Sequence, residues 1–182
     1  MDGVENWVPE FAAIDIIAVS ILVMGVITGI LRGLGPVFGM LLWLMVTLWL
    51  GTVLTPVILG WMPNSPNDAS TNLSAFGLVS GVLLVLPALA RLLAGAGGKK
   101  KKEPDPQFRP FGVLVGVLCG CIFFTLLAPF ANRVSWVNES FGKGSFPAMA
   151  REISHTAPFL FPPSHRAALR NAAPPSVSAR NR

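Results

Sequence analysis

The chain has 182 residues, enough for one domain or one small domain with a tail; 52% of them are hydrophobic and only 13% are charged. Soluble globular chains carry about 25% charged residues, so a surface facing water on all sides is excluded and lipid is the remaining solvent. The formal net charge of +5 does not point to nucleic acid. The basic residues lie at the ends of apolar runs, where membrane topology places them, without the aromatic–basic interleaving of single-strand binders.

The first apolar run extends over about 11–31 and holds a single charge, Asp15, near its start. At about 1.5 Å per residue, such a run crosses a hydrocarbon core of about 30 Å. A signal peptide needs a basic leader, whereas the residues before this run carry Asp2, Glu5 and Glu10 and no Lys or Arg. A second run covers about 34–61, with Pro36 in its first turn, where a missing N–H costs little, and Pro56 as a bending point. A third covers about 73–94, with Pro87 inside and Arg91 near its end. The linker 95–110 combines glycine, proline and the run Lys99, Lys100, Lys101 and Lys102, a composition of mobile, solvated chain. The fourth run covers about 111–131.

These runs predict an all-α integral membrane protein with four transmembrane helices in residues 1–131. Composition shifts after that. Residues 132–161 mix polar and apolar side chains, and 162–182, rich in Pro, Ser, Ala and Arg, reads as a disordered tail. Within the mixed segment Phe146, Met149, Ala150 and Ile153 recur at helical spacing behind Ser145 and Pro147. That predicts a short amphipathic helix, lying on the membrane surface or packed on the protein's own loops.

Basic residues beside the spans set orientation. Arg32 follows span one, and Arg91, the four lysines and Arg109 surround the linker between spans three and four. The loop between spans two and three has Asp68 and no basic residue. Both basic connections are therefore expected in the cytoplasm and both termini outside, in a multi-pass protein. Trp7, Trp61 and Trp136 then share the outer interface, the position of an aromatic belt. Arg133, Lys143 and Arg151 run against the rule. The tetralysine serves as a topology signal, as a patch for anionic headgroups, or as both.

No catalytic, cofactor-binding or metal-binding constellation stands out. His155 and His165 lie in the tail with no acid or cysteine at ligand spacing. Cys119 and Cys121, two apart on a helix, point to nearly opposite sides and read as small fillers. The intramembrane hydroxyls Ser20, Thr28, Thr47, Thr52 and Ser80 are expected to bond carbonyls of their own or a neighbouring helix. Three features rise above this background. Asp15 is ionisable within a span, which marks either a functional group or a hydrated helix start; if it faces the bundle, Arg133 at similar depth is its expected partner. Arg32-Gly33, with Gly29 and Gly35 nearby, forms the first turn, where glycine permits a tight reversal. Gly112, Gly116 and Gly120 occupy one face of span four, a surface for close approach of another backbone. Gly25 with Gly29, and Gly77 with Gly81, are weaker examples, and the partner lies within the chain or in another subunit.

From about Ala13 to Phe161 this order of features resembles the CvpA, or colicin V production, family. The resemblance rests on Asp15 opening span one, on Arg32-Gly33 after it, and on a basic linker leading into Arg109, Gly112, Gly116 and Gly120. Family members often carry further charges where this chain has Leu34-Gly35-Pro36, Phe108 and Cys119, so roles for those charges do not transfer. The resemblance implies an inner-membrane component linked to toxin or peptide production or export and to envelope maintenance, and the lack of a catalytic constellation leads us to expect a non-enzymatic one. Its expected partners are the bilayer, anionic lipids, and another membrane protein or a second copy. A small channel or transporter, or a structural anchor, are the alternatives.

Overall fold

The computed structural model describes residues 13–61, 68–93, 109–141 and 144–172. Four long helices make the bundle: α1 (Ala13–Arg32), α2 (Leu34–Gly60), α3 (Ala69–Leu93) and α4 (Arg109–Ala131). Each is long and apolar enough to cross a membrane, and the described residues contain no strand. The protein is an all-α integral membrane protein with four membrane-spanning helices. Lys99 to Lys102 lie outside the described residues, as do Trp7 and the side chains of Arg109 and Trp136.

Local chemistry sets the ends. The single residue between α1 and α2 is Gly33, with φ 72° and ψ 179°, a region essentially reserved for glycine that costs a residue with a Cβ on the order of 1–3 kcal/mol. Its N–H donates to Gly29 O at 3.0 Å, so the reversal keeps α1's last turn satisfied. Helix α3 begins four residues before the apolar run suggests, because Asp68 caps it: Asp68 Oδ1 accepts from the Thr71 N–H at 2.7 Å.

Helices α1 and α4 pack antiparallel along their glycines. A Cβ on Gly29 would stand 2.7 Å from the Gly112 carbonyl carbon, one on Gly112 2.9 Å from Gly29 O, and one on Gly116 would strike Gly25 O. Gly120 faces Ile21 and Leu22. The expected glycine face is therefore used inside the chain, with α1 as partner. Gly77 makes room for the Phe130 ring, whereas Gly81 faces open space. Helices α2 and α3 also run antiparallel, with Gly51 against Phe76 and Ser80. Away from these contacts the bundle presents apolar side chains, among them Ile16, Met24, Leu31, Leu42, Leu78, Val85 and Leu114. Hydroxyls on that surface, such as Ser20 and Thr28, bond carbonyls of their own helix and need no water, so the surface belongs in lipid.

The chain after α4 does not trail away. It forms α5 (Ser135–Phe141), α6 (Ser145–Thr156), one 3-10 turn at Pro158–Leu160, and α7 (Pro163–Asn171). The expected amphipathic helix is present as α6, but its apolar side is turned inward. Pro147, Ala150 and Ser154 are buried, Phe146 and Met149 pack with Ile14, Ala18 and Phe124, and Ile153 joins the central core. The expectation of disorder from Pro162 is corrected over 163–171. There α7 is helical, with His165 and Leu169 fully buried. Leu160 and Phe161, at the tip, share a core with Leu44 and Leu48 of mid-α2 and Cys119 and Ile122 of mid-α4. So α6 descends into the bundle, the chain turns at Pro158–Leu160, and α7 climbs back. Non-helical backbone at this depth is tolerated because protein encloses it.

Candidate functional site

Two polar contacts fasten this re-entrant hairpin, one at its entrance and one inside. At the entrance stands Asp15, only 5% exposed. Its Oδ1 accepts from the Phe146 N–H, in the first turn of α6, at 3.2 Å. Gly144, the residue before α6, offers no side chain to cap it; a Cβ there would meet Ile14 at 2.8 Å and Asp15 Oδ1 at 2.9 Å. A carboxylate from another helix thus does what a cap residue does elsewhere, accepting an orphan N–H and complementing the positive end of the helix dipole.

Asp15 and Arg133 do not meet as expected. Arg133 turns to the start of α3, where Nη1 donates to Ser74 Oγ at 3.0 Å and Nη2 to the Ser70 carbonyl and hydroxyl at 3.2 Å. The reason is local supply. Asp15 has a free helix N-terminus beside it, and Arg133 has two serines one turn apart. Both residues share one end of the bundle, as their positions along α1 and α4 require.

Inside, the fastening group is His165. Proline at 129 has no N–H, so the Thr125 carbonyl four residues earlier loses its partner within α4. His165 Nε2 lies 3.0 Å from that oxygen. A carbonyl only accepts, so Nε2 carries the proton and Nδ1 bears the lone pair. The ring stacks on Phe161, with centroids 4.9 Å apart, and stands edge-on to Phe76 at 5.4 Å. Burial pushes its pKa down to about 4, the Thr125 bond only partly opposing this. The imidazole is neutral.

The same device recurs between α2 and α3. Pro87 deprives the Leu83 carbonyl of its donor, and Trp43 Nε1 of α2 donates to that oxygen at 3.1 Å. Membrane helices tolerate proline where a neighbour satisfies the freed carbonyl in this way. Of the hydroxyls singled out in the sequence, Ser20, Thr28 and Thr52 bond carbonyls of their own helices. Thr47 and Ser80 are buried and their oxygens have no partner, and neither does His165 Nδ1. Phe76 joins the three positions: it touches Gly51, one turn from Thr47, lies one turn from Ser80, and meets His165.

Sequence reasoning placed Asp15 and Arg133 at the right end of the bundle and missed His165, Thr125 and Trp43. The available signal was the proline positions: Pro129 and Pro87 each free a known carbonyl, so a buried donor had to exist. Arg32 is exposed at the opposite end, beside the Gly33 turn.

A family model described as Colicin V production protein matches residues 14–159. The chain belongs to the colicin V production protein family. The match runs from the buried start of α1 to the tip of the hairpin, so in this family member the inserted α6 lies within the matched region. No curated protein and no solved structure gave a match.

Proposed function

We propose that this family member is a non-enzymatic subunit of the bacterial inner membrane that supports peptide-toxin production or export and envelope maintenance by assembling with a second membrane protein. In this reading both termini face outward, and Arg32 and the lysine run face the cytoplasm.

The observation that carries the proposal is how the bundle divides its surfaces. The glycines of α1 and α4 are spent on each other, and the hairpin fills the space between α2, α3 and α4. What remains outward on α1, α2 and α3 is a broad apolar surface, in which Gly35 and Gly39 of α2 have nothing within 4 Å of where a Cβ would stand. Helix association in lipid depends on such close-approach surfaces, because the hydrophobic drive is absent there.

Crosslinking in native membranes followed by purification tests this. The chain is expected in a complex larger than itself, lost on Gly39→Leu while the purified variant melts like the wild type. A solitary chain in native membranes, unaffected by Gly39→Leu, contradicts it. A channel or transporter is the second reading, favoured by the unpartnered Thr47, Ser80 and His165 atoms beside an interrupted helix. Solute flux through vesicles containing the purified chain alone would establish that reading.

A further inference from the structure

The outward faces of α1, α2 and α3 are mostly apolar, but α6 turns a polar, ionisable one out. Its residues Ser145, Ala148, Glu152 and His155 are all exposed. They follow one another at spacings of three, four and three, so they form a single stripe along the helix. That stripe lies at membrane depth. Helix α6 starts beside Asp15, near one end of α1, and the turn after it shares a core with the middle of α2 and α4. Its 12 residues span about 18 Å at about 1.5 Å each, roughly half of a hydrocarbon core of about 30 Å. Ionisable side chains at such a depth face protein or water rather than lipid tails.

Whatever covers the stripe has to meet charges of both signs. The Glu152 and His155 side chains form no hydrogen bond or ion pair among the described residues. Arg151 and Glu152 are neighbours in the chain and do not face each other around the helix. Arg151 Nε donates instead to the Pro147 carbonyl of its own helix at 3.4 Å, and a guanidinium has further N–H donors to give.

A second copy of the chain supplies the matching pattern. Two copies inserted the same way round are related by a two-fold axis along the membrane normal, which sets their α6 helices side by side and parallel. Such an interface is isologous, so an acid and a base on one face can serve both copies. The stripe has the spacing of heptad a and d positions, with Glu152 at a, Ala148 and His155 at d, and Arg151 at g. In parallel packing, Glu152 enters the hole formed by the partner's Ala148, Arg151, Glu152 and His155. The small Ala148 permits close approach, and the carboxylate meets a guanidinium and an imidazole there. We propose that the chain forms a two-fold dimer in the membrane through this stripe of α6, with Glu152 of each copy paired to Arg151 of the partner subunit. The interface is separate from the α2 surface around Gly39 and does not rest on assembly with a second membrane protein.

The test uses the full chain in native membranes, free of its own cysteines, with Ala148→Cys as reporter. Oxidation should link two copies through position 148, giving a species of twice the chain's 19.4 kDa. Met24→Cys, exposed on α1, should stay unlinked. Arg151→Glu and Glu152→Arg should each lower the linked fraction at least about tenfold by setting like charges together. The two changes combined should restore it, which a folding defect would not do. Gly39→Leu should keep the dimer, so failure of one interface is seen apart from failure of the other. Linking at position 148 no more frequent than at position 24, or to a protein of another mass, overturns the proposal. So does a combined variant that melts like the wild type and stays unlinked.

Discussion

If His165 is present to satisfy the carbonyl that Pro129 orphans, the two residues must be energetically coupled although they lie on different helices. His165→Phe keeps an aromatic ring for Phe161 and Phe76 to pack on and removes the N–H that reaches Thr125 O at 3.0 Å. A buried acceptor left unpaired costs about 1–3 kcal/mol. Interhelical hydrogen bonds in membrane proteins, measured by double-mutant cycles, average about 0.6 and reach about 1.7 kcal/mol. Pro129→Ala restores an N–H four residues after Thr125, so α4 can close its own bond. His165→Phe in that background should then cost about 0.6–1.7 kcal/mol less than in the wild type. The assay is equilibrium unfolding of the four chains in mild detergent, followed by tryptophan fluorescence. Additivity within about 0.3 kcal/mol would refute the reasoning and leave His165 as a packing residue.

The other expectations are more direct. Gly116→Leu should cost about 2 kcal/mol or more by overpacking, since its Cβ runs into Gly25 O, while Gly81→Ala, in open space, should stay within about 0.5 kcal/mol; thermal melts of the two variants compare them. Asp15→Asn and Arg133→Gln should each destabilise, with strictly additive effects in a double-mutant cycle, because they serve α6 and α3 separately; recovery in the double variant would mean that they pair after all. Stability should fall as pH drops from about 6.5 to about 4. Above that window the native and undocked forms both carry a neutral His165, whereas within it only the undocked form takes up the proton. The loss is about 3 kcal/mol at about 1.4 kcal/mol per pKa unit, and the His165→Phe melting curve should lack this component. Single cysteines at Asn67 and Lys101, in a chain otherwise free of cysteine, should differ in labelling by an impermeant reagent on intact cells, with Asn67 alone reacting; the reverse result inverts the orientation.

The four spans were legible because a bilayer demands long apolar runs, and their ends fell within a few residues of the caps. Gly33 and the spacing of Gly112, Gly116 and Gly120 were legible for a related reason, since glycine at a turn or on one helix face has few other uses. The partner of that glycine face was not, because Gly25 and Gly29 look no different when they face lipid. The start of the tail, 163–171, was misread because low hydrophobicity and many prolines resemble disorder, while 173–182 lie outside the described residues. Here the bundle supplies the apolar surroundings that α7 lacks, and Pro158, Pro162 and Pro163 shape a turn and start a helix rather than keeping the chain open. The Asp15 partner was missed because it is a backbone N–H at Phe146, which no side-chain count reveals.

The insertion of the hairpin is most directly tested by cysteine accessibility along it. In a chain otherwise free of cysteine, Asn171→Cys, exposed at the end of α7, should react with a maleimide within the time that Leu160→Cys, 7% exposed at the tip, remains unlabelled. Leu160→Cys should become reactive only when the protein is denatured. Equal labelling of the two in the folded protein would mean that the segment after α4 lies on the surface, and the account of a hairpin fastened by Asp15 and His165 would fail.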